Sequence, residues 1–351
     1  MLPVVCCRII WSLLLINYCT ACCLIMAGRP RAPSEIVPPH TIVPMQNRRE
    51  LFNLVALLPN IIDTDACLRW LAERRLIRNT LACTGCGQPC RLITHAGCID
   101  GKRWYCGNCN IRKSLRDDSF FSRSHLSLQQ IIVLIYCWSY DMPQTAIKRE
   151  TGIDTNHTVV DWCNFLREEC ETWLVNNPDD IGGMHANGDP VVVEIDESKY
   201  FHRKYHRGQW RDGHWVFGGI ERETGKCFLL EVPDRSSATL LPIIRRHILP
   251  GSHIISDGWP SYANIDQIAG GIYMHSVIVH QRHFVDPNDP DVHTEHVENM
   301  WMRAKRKLRR QFGTSRALFP SYLHEFVFRN KFRNEDMFLT MMKTIADNYP
   351  L

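Results

Sequence analysis

The chain has 351 residues, 45% of them hydrophobic, and a formal net charge of +4. That length and apolar content support one sizeable core plus one or two small modules. The modest net charge excludes a general polycation, so any attraction to nucleic acid must come from local clusters of Lys and Arg.

The first 28 residues stand apart. From Ile9 to Gly28 there is no charged residue, and Arg8 and Arg29 flank the stretch, a pattern that suits a signal anchor or a membrane helix. Secretion, however, would oxidise the paired thiols that follow. The preferred reading is a dispensable extension, with Met26 as an internal start ahead of Gly28-Arg29-Pro30-Arg31. A linker rich in Arg, Pro and Ser runs from Arg29 to Pro38, so residues 1–47 form a hydrophobic segment and linker.

Residues 48–120 read as a helical stretch, over 48–78, leading into a cysteine module. Cys83-Thr84-Gly85-Cys86 and Cys106-Gly107-Asn108-Cys109 are two Cys-x-x-Cys knuckles with nineteen residues between them. This spacing predicts a structural Zn²⁺ ribbon, whose four thiolates leave no open coordination position for catalysis. The glycine in each knuckle is expected to serve the tight turn around the metal. Cys90 and Cys98 lie inside the loop and offer an alternative ligand exchange. Lys102, Arg103, Trp104, Arg112, Lys113 and Arg116 place cations and an aromatic near the second knuckle.

Residues 121–180 are predicted to be helical, with breaks at Met142-Pro143 and Gly152. Two short helices around a Gly turn fit a helix-turn-helix, whose second member, Asn156 to Phe165, would enter the major groove. An ordinary bridging bundle fits the same pattern. Asn176-Asn177-Pro178-Asp179-Asp180 and the following glycines mark a boundary.

The third region, 190–340, carries the chemistry. Val191 to Asp196, Trp215 to Ile220 and Cys227 to Val232 read as three adjacent antiparallel strands, the last two joined by Glu223-Thr224-Gly225-Lys226. A helix capped by Ser236 follows, then a fourth strand ending at Asp257, a fifth over Tyr273 to His280, and a helix beginning near Thr294. Asp196, Asp257 and Glu298 thus sit at strand ends and a helix start. Convergent carboxylates of this kind suit two Mg²⁺ or Mn²⁺ ions and phosphoryl transfer. Two basic runs flank them, Arg203, Lys204 and Arg207 after the first strand, and Arg303, Lys305, Arg306, Lys307, Arg309 and Arg310 after Glu298. Their placement favours contact with DNA phosphates. Trp259 and Trp301 suit core packing better than base stacking.

Over most of residues 80–335 the chain resembles the Merlin-type DDE transposases and their ISXO-like bacterial insertion-sequence relatives. The resemblance rests on Glu194-Ile195-Asp196-Glu197-Ser198, Trp215 to Arg222, Ser256-Asp257-Gly258-Trp259, His293-Thr294 with Glu298 and Trp301, and Glu325 to Arg329. It implies an α/β, ribonuclease H-like catalytic domain with a mixed five-stranded sheet. It also implies a triad of Asp196, Asp257 and Glu298, and cutting and rejoining of double-stranded DNA at transposon ends and target. One departure matters: Glu295 stands where many bacterial relatives have Asn, so Glu295 competes with Glu298 as the third ligand. Ribbons of this family help to hold DNA ends, and pairing two ends implies a homo-oligomer. A eukaryotic member would work in the nucleus. No Gly-x-x-x-x-Gly-Lys-Ser/Thr loop is present, so ATP use is not indicated; the resemblance implies DNA and no small-molecule substrate. The alternatives are a domesticated, non-cutting DNA-binding protein and a ribonuclease H-like nuclease acting on RNA hybrids or junctions.

Overall fold

The computed structural model describes residues 33–49, 51–201, 213–278, 292–310 and 314–351. The hydrophobic stretch 1–28 and the basic run with Arg203, Lys204 and Arg207 lie outside the described residues. Two compact units are distinguished, one drawn mainly from Asn53–Ile132 and the other from Val133–Asn348. No helix among the described residues is long and apolar enough to cross a membrane.

The first unit opens with two helices, α1 (Leu54–Ile61) and α2 (Thr64–Glu73), where a continuous helical stretch was expected. Asp63 causes the break: its Oδ1 accepts the Ala66 N–H at 2.7 Å and starts a new helix. Three short antiparallel strands follow, β1 (Arg91–Thr94), β2 (Lys102–Tyr105) and β3 (Arg112–Lys113), in that order across the sheet. Two residues expected near DNA are instead buried. Trp104 is in the core, and Arg116 forks onto Asp100 at 2.6 and 2.8 Å. A buried guanidinium paired with a carboxylate in this way belongs to the structure, not to a phosphate.

Three helices lead into the second unit's sheet: α3 (Leu128–Ser139), α4 (Gln144–Thr151) and α5 (Asn156–Asn176). Gly152, at φ +64°, ends α4 in the left-handed conformation, and Thr155 caps α5 by accepting the Thr158 N–H at 3.2 Å. At 21 residues α5 runs far past Phe165, and Val159, Cys163, Leu166 and Cys170 along it are buried. Packing dictates that length, because its apolar stripe continues to the far end.

A short parallel pair, β4 (Ile181–Gly182) with β8 (Ile248–Leu249), sits beside a five-stranded mixed sheet. The sheet contains β5 (Val192–Tyr200), β6 (His214–Glu221), β7 (Cys227–Val232), β9 (His253–Asp257) and β10 (Met274–Ile278), in the order β10-β9-β5-β6-β7. β5, β6 and β7 pair antiparallel, whereas β5–β9 and β9–β10 pair parallel. Strand alternation assigns the faces. Val193, Ile195, Phe217 and Phe228 pack with α6 (Ser237–His247) on one side. Val216, Ile220 and Leu229 pack on the other with α7 (Glu295–Arg309) and α8 (Phe319–Lys331), and α9 (Met337–Asn348) ends the chain. The start of α6 differs from expectation in one detail. Ser236 occupies the cap position, but its hydroxyl donates to Asp234 Oδ1, which also takes the Ser236 N–H and the Thr239 hydroxyl.

Gly218 shows how tightly α7 meets the sheet. It pairs with Asp196 across β5–β6, and a Cβ there would lie 2.7 Å from both Trp301 Cη2 and Leu229 Cδ2. Gly218→Ala is therefore expected to push Trp301 off the sheet and cost about 1–3 kcal/mol. Chemical denaturation with tryptophan fluorescence measures both; an unchanged midpoint and spectrum would contradict the contact.

Candidate functional site

An acid in the middle of a buried strand must be satisfied from within the protein. Glu194 is fully buried in β5, and its two oxygens are used differently. Oε2 accepts the backbone N–H groups of His296 and Val297, at 2.8 and 2.9 Å, in the first turn of α7. Oε1 receives Arg222 Nε at 3.0 Å and Nη2 at 2.9 Å, and His296 Nδ1 lies 2.8 Å away. Arg222 Nη2 also donates to the His293 carbonyl at 3.1 Å. Glu194 is thus a helix cap supplied by a neighbouring strand, negative charge on the positive end of α7.

From that anchor β5 and α7 run side by side. Two residues along a strand advance about 6.6 Å and four along a helix about 6 Å, so their contacts repeat in step. Glu194 meets Val297, Asp196 Oδ2 accepts Trp301 Nε1–H at 3.0 Å, and Ser198 Oγ accepts Lys305 Nζ–H.

The same register brings in the second acid. β5 and β9 pair Val193 with Ile254 and Glu194 with Ile255, so two residues on Asp196 lies beside Asp257, on the α7 face. Asp257 Oδ1 is held by the Trp259 N–H at 3.0 Å. Glu298 and Glu295 are both exposed in the first turn of α7. Around an ideal helix Glu298 is about 60° from Trp301 and Glu295 about 120° away, so Glu298 shares the face that turns toward Asp196.

Burial first, then Asp257 and Glu197, push the Asp196 carboxyl up to about 7, against the Trp301 N–H, which favours the ionised form. Burial likewise raises Glu197 to about 7, but strand alternation turns it to the opposite face, toward Tyr262 and Arg235, so it is not part of the donor set. The mutually repelling carboxylates of Asp196 and Asp257 make a donor set suited to a hard divalent cation.

The cations divide into two groups. Lys305 is bonded to Ser198 and lies 5.2 Å from the Tyr200 ring centre, close to Asp196. Arg306, Arg309 and Arg310 are exposed. Lys307 departs from expectation: it is 14% exposed and bonds Glu325 at 2.7 Å and Asp141 at 3.0 Å. Burial alone would raise Glu325, but Lys307 and Arg329 hold it down at about 2. Arg303 donates to Asn330 Oδ1 at 3.1 Å. Both tryptophans pack as expected: Trp301 is buried, and Trp259 lies under the Arg235 guanidinium at 3.9 Å.

In the first unit Cys83, Cys86, Cys106 and Cys109 bring their sulfurs within 4.8 Å of one another, and Cys90 and Cys98 are outside the group. The Gly85 N–H, 3.4 Å from Cys83 Sγ, lowers that thiol to about 7, whereas the bond to Cys86 raises Cys109 to about 12. Four sulfurs that cannot all ionise together fit a bound cation. Gly85 serves space instead of conformation. A Cβ on Gly85 would sit 3.1 Å from Ile111, while the left-handed residues are Gly87 and Asn110. Glu194, His293 and His296 also cluster within 4.8 Å. There the carboxylate is already satisfied by N–H donors and a guanidinium, so the trio is an anchor and not a cation site.

Reading the sequence missed the roles of Glu194, Arg222 and Gly218. A signal existed, since Glu194 interrupts an apolar strand two residues before Asp196, where it must share the acid's face.

The family model described as the ISXO2-like transposase domain matches residues 182–331. An "uncharacterized transposase-like protein" of Haemophilus influenzae is 33% identical over 112 residues, 32% of this chain and 85% of that protein. Among solved structures, a simian T-cell lymphotropic virus intasome in complex with PP2A regulatory subunit B56 gamma is 17% identical, covering 56% of this chain and 67% of that chain, with a TM-score of 0.28. The catalytic core domain of BIV integrase is 14% identical, covering 39% and 80%, with a TM-score of 0.27.

Two outcomes follow from this geometry. A carboxyl held above its unfolded value destabilises the fold once ionised, so that penalty is absent below pH 4 and complete above about 7. Without added Mg²⁺ or Mn²⁺ and without chelator, Asp196→Asn should raise Tm by about 3 °C or more at pH 8 and by less than about 1 °C at pH 4; an equal shift at both pH values would contradict the raised pKa. Metal analysis of protein purified without chelator should find one Zn²⁺ per chain, lost in Cys106→Ser and retained in Cys98→Ser.

Proposed function

Because the chain belongs to the ISXO2-like transposase family, we propose that it is a DDE-type transposase that cuts and rejoins DNA at transposon ends. The observation that carries this reading is the meeting of Asp196 and Asp257, on adjacent parallel strands, with a helix whose first turn presents Glu298. The strand order and directions support a ribonuclease H-like reading of the sheet, with Asp196 midway along its first strand and Asp257 at the end of its fourth.

In this reading Asp196, Asp257 and Glu298 hold two Mg²⁺ or Mn²⁺ ions. When bound, the ions supply charge stabilisation for the attacking and leaving oxygens of an in-line phosphoryl transfer. The protein's own contribution is positional. Trp301 fixes one oxygen of Asp196, the Trp259 N–H fixes Asp257, and Glu194 sets where α7 begins. Water attack would free a 3′-hydroxyl at the transposon end, and that hydroxyl would join target DNA at the same site. Neither step requires a covalent bond to the enzyme.

DNA contact falls to Lys305 beside the site, to Arg306, Arg309 and Arg310 further round α7, and to Arg203, Lys204 and Arg207. Arg303 and Lys307 act less directly, through the bonds that hold α7. The four-cysteine cluster takes structural Zn²⁺ and presents Lys102, Arg103, Arg112 and Lys113 to a DNA end. Two ends must be held for joining, which calls for at least a dimer.

The test is Mg²⁺- or Mn²⁺-dependent nicking of duplexes carrying the repeats that flank the gene. Asp196→Ala, Asp257→Ala and Glu298→Ala should each fall below about 1% of the unmodified rate while still binding the duplex. Glu295→Ala should retain cleavage within about twofold. Tight binding without cleavage by the unmodified protein would overturn the enzyme reading in favour of a DNA-binding role.

A further inference from the structure

The basic residues of α7 carry information beyond their charge. Arg303, Arg306, Lys307 and Arg310 follow the i, i+3, i+4, i+7 spacing of one helix face. That face lies about 140–240° around the axis from Trp301, away from the carboxylates. It borders a cavity of about 700 Å³ whose other walls come from the start of α4, from α5 and from α8.

The charges around this cavity do not balance. Its two carboxylates, Asp141 and Glu325, are matched by Lys307 and Arg329. Arg167, Arg303, Arg306 and Arg310 also line it, and among the described residues no carboxylate pairs with any of them. Arg167 is the most telling. It is 3% exposed, its Nη2 donates to Asn164 Oδ1, its guanidinium lies 4.1 Å from the Tyr322 ring centre and helps to hold Glu325 ionised, and its buried Nε has no hydrogen-bond partner. Guanidinium groups gathered in a partly enclosed space repel one another unless an anion joins them, and their forked N–H groups match phosphate oxygens. A phosphate alone would leave most of the volume empty. The remaining wall is apolar, formed by Met142, Pro143, Ile147 and Phe326. That surface suits the flat face of a base.

We propose that this cavity receives an unpaired nucleotide of the DNA substrate, its phosphate on Arg167, Arg306 and Arg310 and its base against Met142, Ile147 and Phe326. A paired base is stacked inside the duplex and cannot enter, so the ligand is a nucleotide from a single-stranded end or one extruded from the helix. Lying across α7 from Asp196, it is not the nucleotide whose phosphate is attacked. The inference rests on the transposase reading for its substrate.

Fluorescence anisotropy with the full chain, without added Mg²⁺ or Mn²⁺ so that no strand is cut and without chelator so that the four-cysteine module keeps its metal, tests it. The probes are terminal-repeat duplexes that are blunt, that carry a three-nucleotide single-stranded overhang, or that carry the same overhang without bases. The overhang should bind about tenfold tighter than the blunt end, and the abasic overhang should lose about threefold of that gain. Arg306→Gln with Arg310→Gln, and separately Arg167→Met, should abolish the preference. Equal binding of overhang and blunt duplex, or a preference kept in both variants, overturns the proposal. An abasic overhang that binds as well as the complete one overturns the base contact. Nicking in Mg²⁺, measured alongside, separates the two readings. Cleavage without overhang preference removes the cavity alone, preference without cleavage removes the transposase reading alone, and no binding of any probe removes both.

Discussion

The bond between the Glu194 carboxylate and the first turn of α7 is the constraint on which the candidate site depends. Glu194 lies at the centre of the sheet, wholly out of water, and it accepts backbone N–H groups that would otherwise be unpaired at the helix start. Arg222, on the edge of the β6–β7 hairpin, balances its charge and also holds the His293 carbonyl. Strand, hairpin and helix are joined at one buried ion. Breaking such a pair leaves an uncompensated charge in the core, typically a loss of about 3–5 kcal/mol. The sheet and α7 therefore share one register.

From that point geometry places the rest. The near match between two strand residues and four helix residues carries Asp196 to Trp301 and Ser198 to Lys305. The absence of a side chain at Gly218 lets the indole lie flat on the sheet. The acids are themselves unfavourable neighbours, with Asp196 raised to about 7 by burial and by the charges around it. A site so arranged is less stable empty than filled, the usual compromise where function requires like charges to converge.

Much of this was legible in the sequence, and the limits have physical causes. Strand alternation and the Gly225 turn marked β5, β6 and β7, and the apolar run ending in Asp257 marked a strand end, whereas β5 continues past Asp196 to Tyr200 because its pairing with β6 does not stop at the acid. Local chemistry of this kind is written in adjacent residues. The four cysteines also came together as their spacing implied. What could not be read depends on partners distant in sequence. Arg116 and Lys307 look like free surface cations until Asp100 and Glu325 are found beside them. Arg167 gives no sign, from its neighbours alone, of facing a cavity with Arg306 and Arg310. The expected recognition element, Asn156 to Phe165, is only the first half of α5, whose buried stripe continues by packing toward its far end.

The central claim is that three carboxylates, brought together by the Glu194 anchor, share one hard-cation site beside Trp301. Tb³⁺ luminescence excited through tryptophan measures this without DNA, because transfer requires an oxygen-ligated ion close to an indole. The account predicts a strong signal that Mg²⁺ or Mn²⁺ displaces, that Glu298→Gln and Asp257→Asn abolish, and that Glu295→Gln leaves intact. A signal that survives Glu298→Gln, or that is lost only with Glu295→Gln, would contradict it.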